Sequence, residues 1–352
     1  MSRRRPRILV RGGGLAGITA AKLLRDRGAD VRIVAGPRRP GRIVAIPIET
    51  LRLAADLFGL DVAALQIGPM VERRRVDWAP GSADAVPQAA LVCDAADFSA
   101  IMARPLRDAG CFSGTDDDDA DWTLAASGRP AHDALRAGER VGQFARVAGM
   151  TCDPSIAITA TSAGWVFTAP HPDGGLAVLL VSPSAALAAA SRDDVAERLA
   201  EAGCAASARD VAEIGAPESI APALAQPPHA KARLAIGDAA LALDPLRGDG
   251  AGFALRGALL AQAVVAAVAR GEDRACCLGH YAGRLRAVFA SHLHGCVAHY
   301  GAARHAAIWR HEVAAMAALA RRLAADPAPV GFRMQGHDLV AMPAGMQPHA
   351  TM

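Results

Sequence analysis

The fold is decided by residues 233–267, which read RLAIGDAALALDPLRGDGAGFALRGALLAQAVVAA. Residues 233–237 predict a short buried strand followed by Asp238, and residues 244–250 have the Pro and Gly density of a tight loop. The apolar residues from Ala251 predict a long helix that ends at Arg270, with Gly271 as its stop. A carboxylate, a glycine-rich loop and a helix N-terminus in one run suit a ligand that carries hydroxyl groups and a flat, electron-rich ring.

This run resembles the second flavin-binding motif of the FAD-dependent aromatic hydroxylase superfamily, which includes p-hydroxybenzoate hydroxylase, the geranylgeranyl reductases and the flavin-dependent halogenases. Members carry GD, then a Pro, then GxG that opens a helix. The matching residues here are Gly237-Asp238, Pro245 and Gly248-Asp249-Gly250. The resemblance implies one non-covalently bound FAD, with its ribityl chain at Asp238 and its ring beside Pro245, Gly248, Gly250 and Ala251.

A second motif lies near the N-terminus, where residues 7–10 predict a strand, GGGLAG spans residues 12–17, and residues 31–34 predict the next strand. Between them lies a helix with an apolar packing side. This order is the dinucleotide-binding fingerprint. Gly12 allows the tight turn, Gly14 lets the backbone reach the pyrophosphate, and Gly17 allows close helix–strand packing. Leu15 and Ala16 complete the predicted cradle.

Two positions depart from the superfamily pattern. The fingerprint has an acidic residue after its second strand, where it binds the adenosine ribose, and here that place is Ala35-Gly36. Ser127 stands where relatives have an aspartate. We therefore expect FAD to be held more weakly than is usual, with Arg38 and Arg39 either facing the adenine or pyrophosphate or forming a solvated loop.

The predicted fold class is α/β, with a Rossmann-like FAD-binding lobe of the glutathione-reductase type, a β-sheet substrate lobe and a C-terminal helical segment. Residues 1–50, 92–130 and 229–275 are assigned to a discontinuous FAD-binding domain. Residues 51–91 and 131–228 are assigned to the substrate domain, and residues 276–352 to C-terminal helices and an irregular tail.

Further site residues follow from the resemblance and from the strand repeat. In relatives the loop before the helix that starts near Pro47 borders the flavin, which makes Arg42 a candidate flavin contact. Residues 164–182 predict a hairpin, on whose first strand Trp165 and Phe167 share one face. Because this sheet covers the substrate pocket in relatives, both aromatics are candidate pocket residues. The alternative is that both pack in the hydrophobic core and contact no substrate.

Composition excludes several classes of protein. The chain has 352 residues, 52% of them hydrophobic, and a net charge of +3, which does not support nucleic-acid binding. The seven cysteines form no CxxC pair and their number is odd, so a disulfide framework is not expected. His292, Cys296 and His299 share a helix face but lack a fourth ligand, so no metal is expected. We see no signal peptide and no uninterrupted membrane span, and expect a cytoplasmic protein.

The sequence favours an FAD-dependent monooxygenase that acts on an aromatic, largely apolar substrate through reduced flavin and a C4a-hydroperoxide. Only one GxGxxG motif is present, so no second nucleotide domain is available for NAD(P)H. The resemblance implies that the electrons come from transiently bound NAD(P)H or from a separate flavin reductase. Arg247 either stabilises anionic flavin or grips a substrate carboxylate, or else is a solvent-facing loop charge. Asp244 is either a general base or the cap of its turn.

Other functions remain open at this point. Halogenation is disfavoured, because halogenases need a lysine in the first lobe, where only Lys22 stands, and a WxWxIP run, which here reads WVFTAP over residues 165–170. The alternatives are modification of a tryptophan side chain in a partner protein during quinone cofactor maturation, double-bond reduction as in geranylgeranyl reductases, and a non-catalytic flavin-binding partner protein.

Overall fold

The computed structural model describes residues 5–37, 41–114, 119–129, 133–150, 155–184, 189–325 and 331–342. The helices are α1 (Leu15–Asp26), α2 (Ile48–Phe58), α3 (Ala95–Met102), α4 (Arg104–Asp108), α5 (Arg192–Glu201), α6 (Gly250–Arg270), α7 (Arg274–Gly301) and α8 (Arg310–Ala324). The strands are β1 (Arg7–Arg11), β2 (Asp30–Val34), β3 (Ile43–Pro47), β4 (Met70–Asp77), β5 (Ala83–Asp94), β6 (Trp122–Ala125), β7 (Ala134–Arg136), β8 (Val141–Val147), β9 (Ser155–Thr161), β10 (Gly164–Pro170), β11 (Leu176–Ser182), β12 (Val211–Ile214), β13 (Glu218–Ser219), β14 (Ala223–Ala225), β15 (His229–Ala230), β16 (Arg233–Ala235), β17 (Leu241–Ala242), β18 (Phe332–Gln335) and β19 (Asp338–Ala341).

The first sheet carries both sequence motifs. Its strand order is β15-β16-β6-β1-β2, and the pairs from β16 to β2 are parallel. Strands β1 and β16 therefore end at the same edge of the sheet, which is where each motif follows its strand. Helices α1 and α6 begin within these motifs, at Leu15 and Gly250, and pack against each other. This arrangement confirms the predicted α/β fold class.

The second sheet has nine strands, eight of them in the order β12-β8-β11-β10-β9-β4-β5-β3, with β13 also pairing with β8. One face is covered by α5, through Val195 and Leu199 packed against Val166 and Leu180. The other face turns toward the first sheet and carries Trp165 in the main core. Strand β3 belongs to this sheet, although its residues lie within the range assigned to the FAD-binding domain; the domain limits remain a prediction.

Helix α6 follows the sequence closely. It begins at Gly250 and ends at Arg270, and Gly271 takes the left-handed conformation (φ 107°) of a helix stop. By length and composition it could cross a membrane, which we had not expected of any run in the chain. However, 61% of its most apolar window is buried inside the protein, as in a core helix.

Candidate cofactor and substrate site

The N-terminal glycines form a turn that side chains could not enter. A Cβ on Gly12, which has φ +126°, would lie 2.1 Å from the carbonyl oxygen of Ala126, and a Cβ on Gly17 would lie 2.1 Å from that of Gly12. Gly14, the N-cap of α1, has nothing within 4 Å of its Cβ position. The backbone N–H groups of the first turn, which begins with Leu15 and Ala16, are thus left open to an anionic ligand.

Ala35 stands where the fingerprint has an acidic residue, and its side chain offers no hydrogen-bond acceptor. Ala35 follows β2 directly and is exposed. A Cβ on Gly13 would lie 3.0 Å from the Cβ of Ala35, so this residue stands next to the glycine turn. Arg38 and Arg39, the alternative contacts, lie outside the described residues.

The two motifs meet in space. Gly237 has φ +57°, and a Cβ on it would lie 2.5 Å from the Cβ of Ala16 in the first turn of α1. Asp238 follows at the edge of this contact. Burial raises the pKa of the Asp238 carboxyl, while the positive charges of Arg129 and Arg42 act in the opposite direction. One carboxylate is therefore held beside two cations, where a bound ligand's hydroxyl groups are well placed to satisfy it.

The loop after Asp238 presents its backbone openly. Residues Pro245–Arg247 form a single 3₁₀ turn, and Gly248 leaves it in the left-handed conformation (φ 66°). At Gly248 and Gly250 a Cβ would meet nothing within 4 Å. Ala251 lies in the first turn of α6 and is half-buried. A flat ring can approach this backbone closely, and the start of α6 adds partial positive charge.

Arg247 is exposed and lies against α7. A Cβ on Gly295 of that helix would lie 2.8 Å from Nη1 of Arg247, so the guanidinium lies close to the backbone of α7 at that glycine. Its exposed position is compatible with either of the roles considered for it: a contact to a ligand, or a solvent-facing loop charge.

Asp244 lies in a buried polar cluster, which we define as Arg140, Asp244, His292, Tyr300 and Glu312. Nε of Arg140 lies 2.9 Å from Oδ2 of Asp244, and its Nη1 lies 2.5 Å from Oε2 of Glu312. The Tyr300 hydroxyl donates to Asp244 (3.1 Å to Oδ2), and Asp244 Oδ1 also accepts from the Leu246 N–H at 2.9 Å. The cluster joins the loop to β8, α7 and α8.

Asp244 is 2% exposed, and all of these contacts go to protein groups. The structure therefore favours the alternative in which Asp244 caps its turn over the one in which it is a general base.

The same cluster also fixes the position of Trp165, which is 1% exposed and donates from Nε1 to the Tyr300 hydroxyl at 3.1 Å. Trp165 thus supports the site from behind and does not line an open pocket.

His292 is neutral in this cluster. Its Nε2 accepts the backbone N–H of Asp244 at 2.9 Å, and burial lowers its pKa to about 4, although the carboxylate of Asp244 acts the other way. The Arg247 and Arg140 charges contribute to the lowering. His292 therefore fixes the start of the loop only while it carries no proton on Nε2.

Acidification is expected to expose this dependence. The unfolded chain protonates the imidazole near its usual pKa of about 6.5, and the folded chain only near 4. The stability that the neutral ring contributes is complete above about pH 6.5 and is lost as the pH falls toward 4. The loss reaches about 2 kcal/mol at pH 5, at 1.36 kcal/mol per pKa unit.

The measurement is urea unfolding of the parent and of His292→Gln between pH 7.5 and 5. Gln retains an acceptor but does not titrate, so its stability should fall by about 2 kcal/mol less over this range. His294→Gln, an exposed change on the same helix, is the matched control and should follow the parent. Parallel curves for His292→Gln and the parent would contradict the assignment.

An open cavity of about 500 Å³ lies at the end of the second sheet. Phe144, Phe167 and His171 line it, together with Arg42 and Glu218. Arg42 Nη2 lies 2.5 Å from Oε1 of Glu218, and its guanidinium carbon lies 5.7 Å above the Phe144 ring. Of the two predicted pocket aromatics, Phe167 lines the cavity and Trp165 does not.

Sequence reasoning missed three residues that shape the site: Arg74, Arg129 and Arg140. Arg129 donates to the carbonyl oxygens of Ala221 and Leu243, and its positive charge lowers the pKa of Asp238. Each of the three comes from a different part of the chain, so no local spacing links them. Among the described residues, no group of three or more His, Cys, Asp or Glu is placed to hold a metal ion.

The chain resembles several proteins of known structure. No protein-family model and no curated protein sequence matches the chain. Solved structures do match. The peptidyl tryptophan dihydroxylase QhpG, essential for tryptophylquinone cofactor biogenesis, has a TM-score of 0.75 and 25% identity, over 88% of this chain and 78% of that one.

Two further matches extend the comparison. The myxobacterial chondrochloren halogenase CndH, described as a variant of FAD-dependent halogenases, has a TM-score of 0.70 and 17% identity, over 85% of this chain and 83% of that one. The 2,6-dihydroxypyridine-3-hydroxylase from Arthrobacter nicotinovorans has a TM-score of 0.60 and 15% identity, over 81% of this chain and 89% of that one. These matches confirm the fold class and the family resemblance that the two motifs indicated.

Proposed function

We propose that this chain, whose fold matches those of flavin-dependent hydroxylases and halogenases, is an FAD-dependent monooxygenase acting on an aromatic, largely apolar substrate. FAD is the cofactor. The observation that carries the proposal is the meeting of the two motifs at Ala16 and Gly237. Arg42, which acts on the Asp238 carboxylate of the second motif, also lines the cavity that holds Phe144 and Phe167.

The residues present fit FAD. The open Cβ position of Gly14 and the free N–H groups of α1 suit a pyrophosphate, and Asp238 suits the ribityl hydroxyls. The open backbone at Gly248 and Gly250 suits the ring, next to the start of α6. Reduced FAD supplies the activation of molecular oxygen, and the protein's share is to bind, orient and exclude water.

Within this proposal Asp244 is a positioning residue and Arg247 is the candidate catalytic residue. Asp244 caps the loop turn and is closed off by Arg140 and Tyr300. The exposed guanidinium of Arg247 stands in the same loop without such a closure. It is the group that we expect to contact anionic flavin or a polar substituent of the substrate.

Hydroxylation is favoured over halogenation by the positions of the lysines, of which the chain has two. Nζ of Lys22 lies 2.5 Å from Asp26 one turn further along α1, so it is engaged on that helix. Lys231 lies in the turn between β15 and β16, with φ 49°. Neither lysine lines the cavity at Phe144 and Phe167.

The proposal is tested by product formation. The FAD-loaded protein is supplied with NAD(P)H, with and without a flavin reductase, under ¹⁸O₂, and is offered phenols, indoles and tryptophan-containing peptides. We expect one compound class to gain ¹⁸O by mass spectrometry. Halogenated product with added chloride or bromide, or oxidation of NAD(P)H with no ¹⁸O in any aromatic, would contradict it. The second outcome would favour double-bond reduction or a flavin-binding partner role.

A tryptophan side chain of a partner protein is the second candidate substrate. It is favoured by the match to QhpG, a peptidyl tryptophan dihydroxylase, along 88% of this chain. The open cavity suits a side chain that arrives attached to a larger molecule. Incorporation of ¹⁸O into tryptophan-containing peptides, with none into free indole or free tryptophan, would decide for this candidate.

Ala35 offers a separate check on cofactor placement. Ala35→Glu puts a carboxylate after β2, where it can accept hydrogen bonds from the adenosine ribose. We expect FAD to bind up to about tenfold more tightly, the equivalent of about 1.4 kcal/mol. Fluorescence titration of the apoprotein with FAD measures it, with Ala35→Gln as the uncharged control. Unchanged or weaker binding in Ala35→Glu would contradict the placement of the ribose there.

A further inference from the structure

Strand β4 carries three consecutive arginines that differ in environment. Arg73 and Arg75 are exposed, while Arg74 between them is half-buried. Arg74 pairs with Ile156 of β9, whose side chain packs in a core cluster beneath the sheet. Side chains alternate along a strand, so Arg74 points to the face opposite its two neighbours, toward the first sheet.

The contacts of Arg74 lead to the proposed flavin loop. Its Nη2 donates to the carbonyl oxygen of Leu246 at 3.1 Å, within the turn Pro245–Arg247. Its Nε is buried and has no hydrogen-bond partner within the part of the chain that the structure describes. Burial lowers the pKa of the guanidinium, and no carboxylate of the described residues opposes this effect.

A charge in such a position is costly without a counter-charge. Arginine cannot be deprotonated at neutral pH, so Arg74 keeps its charge although it is partly desolvated. Buried cations are normally paired, as Arg140 is with Asp244 and Glu312. Among the described residues, the one hydrogen bond of Arg74 goes to the carbonyl group of Leu246. The missing negative charge should therefore come from a ligand held by the same loop.

We propose that Arg74 supplies the positive charge that stabilises the anionic, reduced state of FAD, and thereby raises the reduction potential of the bound cofactor. The inference rests on the FAD site of the proposed function. It does not depend on the substrate or on the reaction that follows reduction. Arg74 assists the start of α6 and the open loop backbone, which are aimed at the same ring.

The experiment compares Arg74→Met with Arg73→Met and Arg75→Met, which remove the same charge from the exposed face of the same strand. For each FAD-loaded variant the midpoint potential is measured by equilibration with a reference dye, and the Kd of oxidised FAD by titration. We expect Arg74→Met to lose at least about tenfold in the preference for reduced over oxidised FAD, which is about 30 mV for a two-electron couple. The two control variants should keep the parent potential.

The potential separates an electrostatic role from a structural one. If Arg74 only held the Leu246 carbonyl in place, its loss would weaken oxidised and reduced FAD alike and leave the potential unchanged. FAD bound to Arg74→Met at the parent potential would overturn the inference. So would an equal drop in potential in the Arg73 and Arg75 variants, since it would then be a general charge effect.

Arg74→Lys and Arg74→Gln keep the test decisive if Arg74→Met does not bind FAD. Lysine preserves the charge, so it should retain more of the parent potential than glutamine, which is uncharged. Equal potentials in the two variants would overturn the inference. A shifted potential in an enzyme that hydroxylates no aromatic compound would overturn the proposed function and leave the role of Arg74 intact.

Discussion

Replacing Arg140 with Met is expected to lower the free energy of unfolding by about 3–5 kcal/mol. The side chain of Arg140 is fully buried and is the cation that faces both Asp244 and Glu312. Methionine has a similar length but no charge, so it would leave two carboxylates buried with no cation between them. Burial already raises the pKa of Glu312, and Arg140 is the first of the groups that oppose this.

Urea unfolding of the FAD-free protein at neutral pH measures the effect. Arg146→Met is the matched control, because Arg146 lies near the end of β8 and its side chain is 29% exposed, beside Glu213. It should change the stability by less than about 1 kcal/mol. Arg140→Met combined with Glu312→Gln should recover part of the loss. A decrease of under about 1 kcal/mol in Arg140→Met alone would show that the cluster does not stabilise the fold.

This cluster explains why the loop can be both open and well placed. The backbone of Gly248 and Gly250 is open to the proposed flavin, while Asp244 at the start of the loop is joined to α7 by Tyr300 and His292 and, through Arg140 and Glu312, to α8. Glu312 also accepts the backbone N–H of Glu139 at 2.8 Å. A Cβ on Gly138 would lie 1.8 Å from Oε2 of Glu312, so a glycine is needed there. The C-terminal helices therefore position the loop.

The fold was predictable from local patterns, because each motif is a short run whose spacing has one structural use. Gly12 and Gly17 predict a strand–turn–helix, and the structure shows backbone contacts that forbid side chains at both. The end of α6 at Arg270 followed from Gly271 in the same way. These features depend on residues close together in the sequence, so the sequence alone carries them.

The candidate site was only partly predictable, because it depends on contacts between distant segments. Arg140 and Glu312 lie 172 residues apart in the sequence, and no sequence pattern in either segment indicates that the two side chains are in contact. The strand repeat correctly placed Trp165 and Phe167 on one face of the sheet, but it does not indicate how deeply each side chain is buried. Tyr300 covers Trp165, whereas Phe167 reaches the cavity. Arg74 was missed for the same reason, since its environment depends on the distant Leu246.

Asp238→Ala is expected to weaken FAD binding by about 10- to 150-fold. Asp238 carries the carboxylate of the second motif, next to Gly237, which meets Ala16, and the charges of Arg129 and Arg42 act to lower its pKa. A hydrogen bond from a ligand hydroxyl to a carboxylate contributes about 1.5–3 kcal/mol, and each 1.4 kcal/mol is a factor of ten in Kd. Titration of the apoprotein with FAD, followed by flavin fluorescence, gives the two constants.

Two further variants identify the cause of the loss. Asp249→Ala removes a carboxylate from the same motif, but that carboxylate pairs with Arg256 at 2.6 Å and is 46% exposed, so the Kd should stay close to that of the parent. Asp238→Asn keeps an acceptor without the charge and should bind FAD with intermediate affinity. If Asp238→Ala retained the parent affinity while remaining folded, the ribityl chain would not lie at Asp238. The placement of the ring beside residues 245–250 would then lose its main support, because Asp238 lies only six residues before Asp244, at the start of that loop.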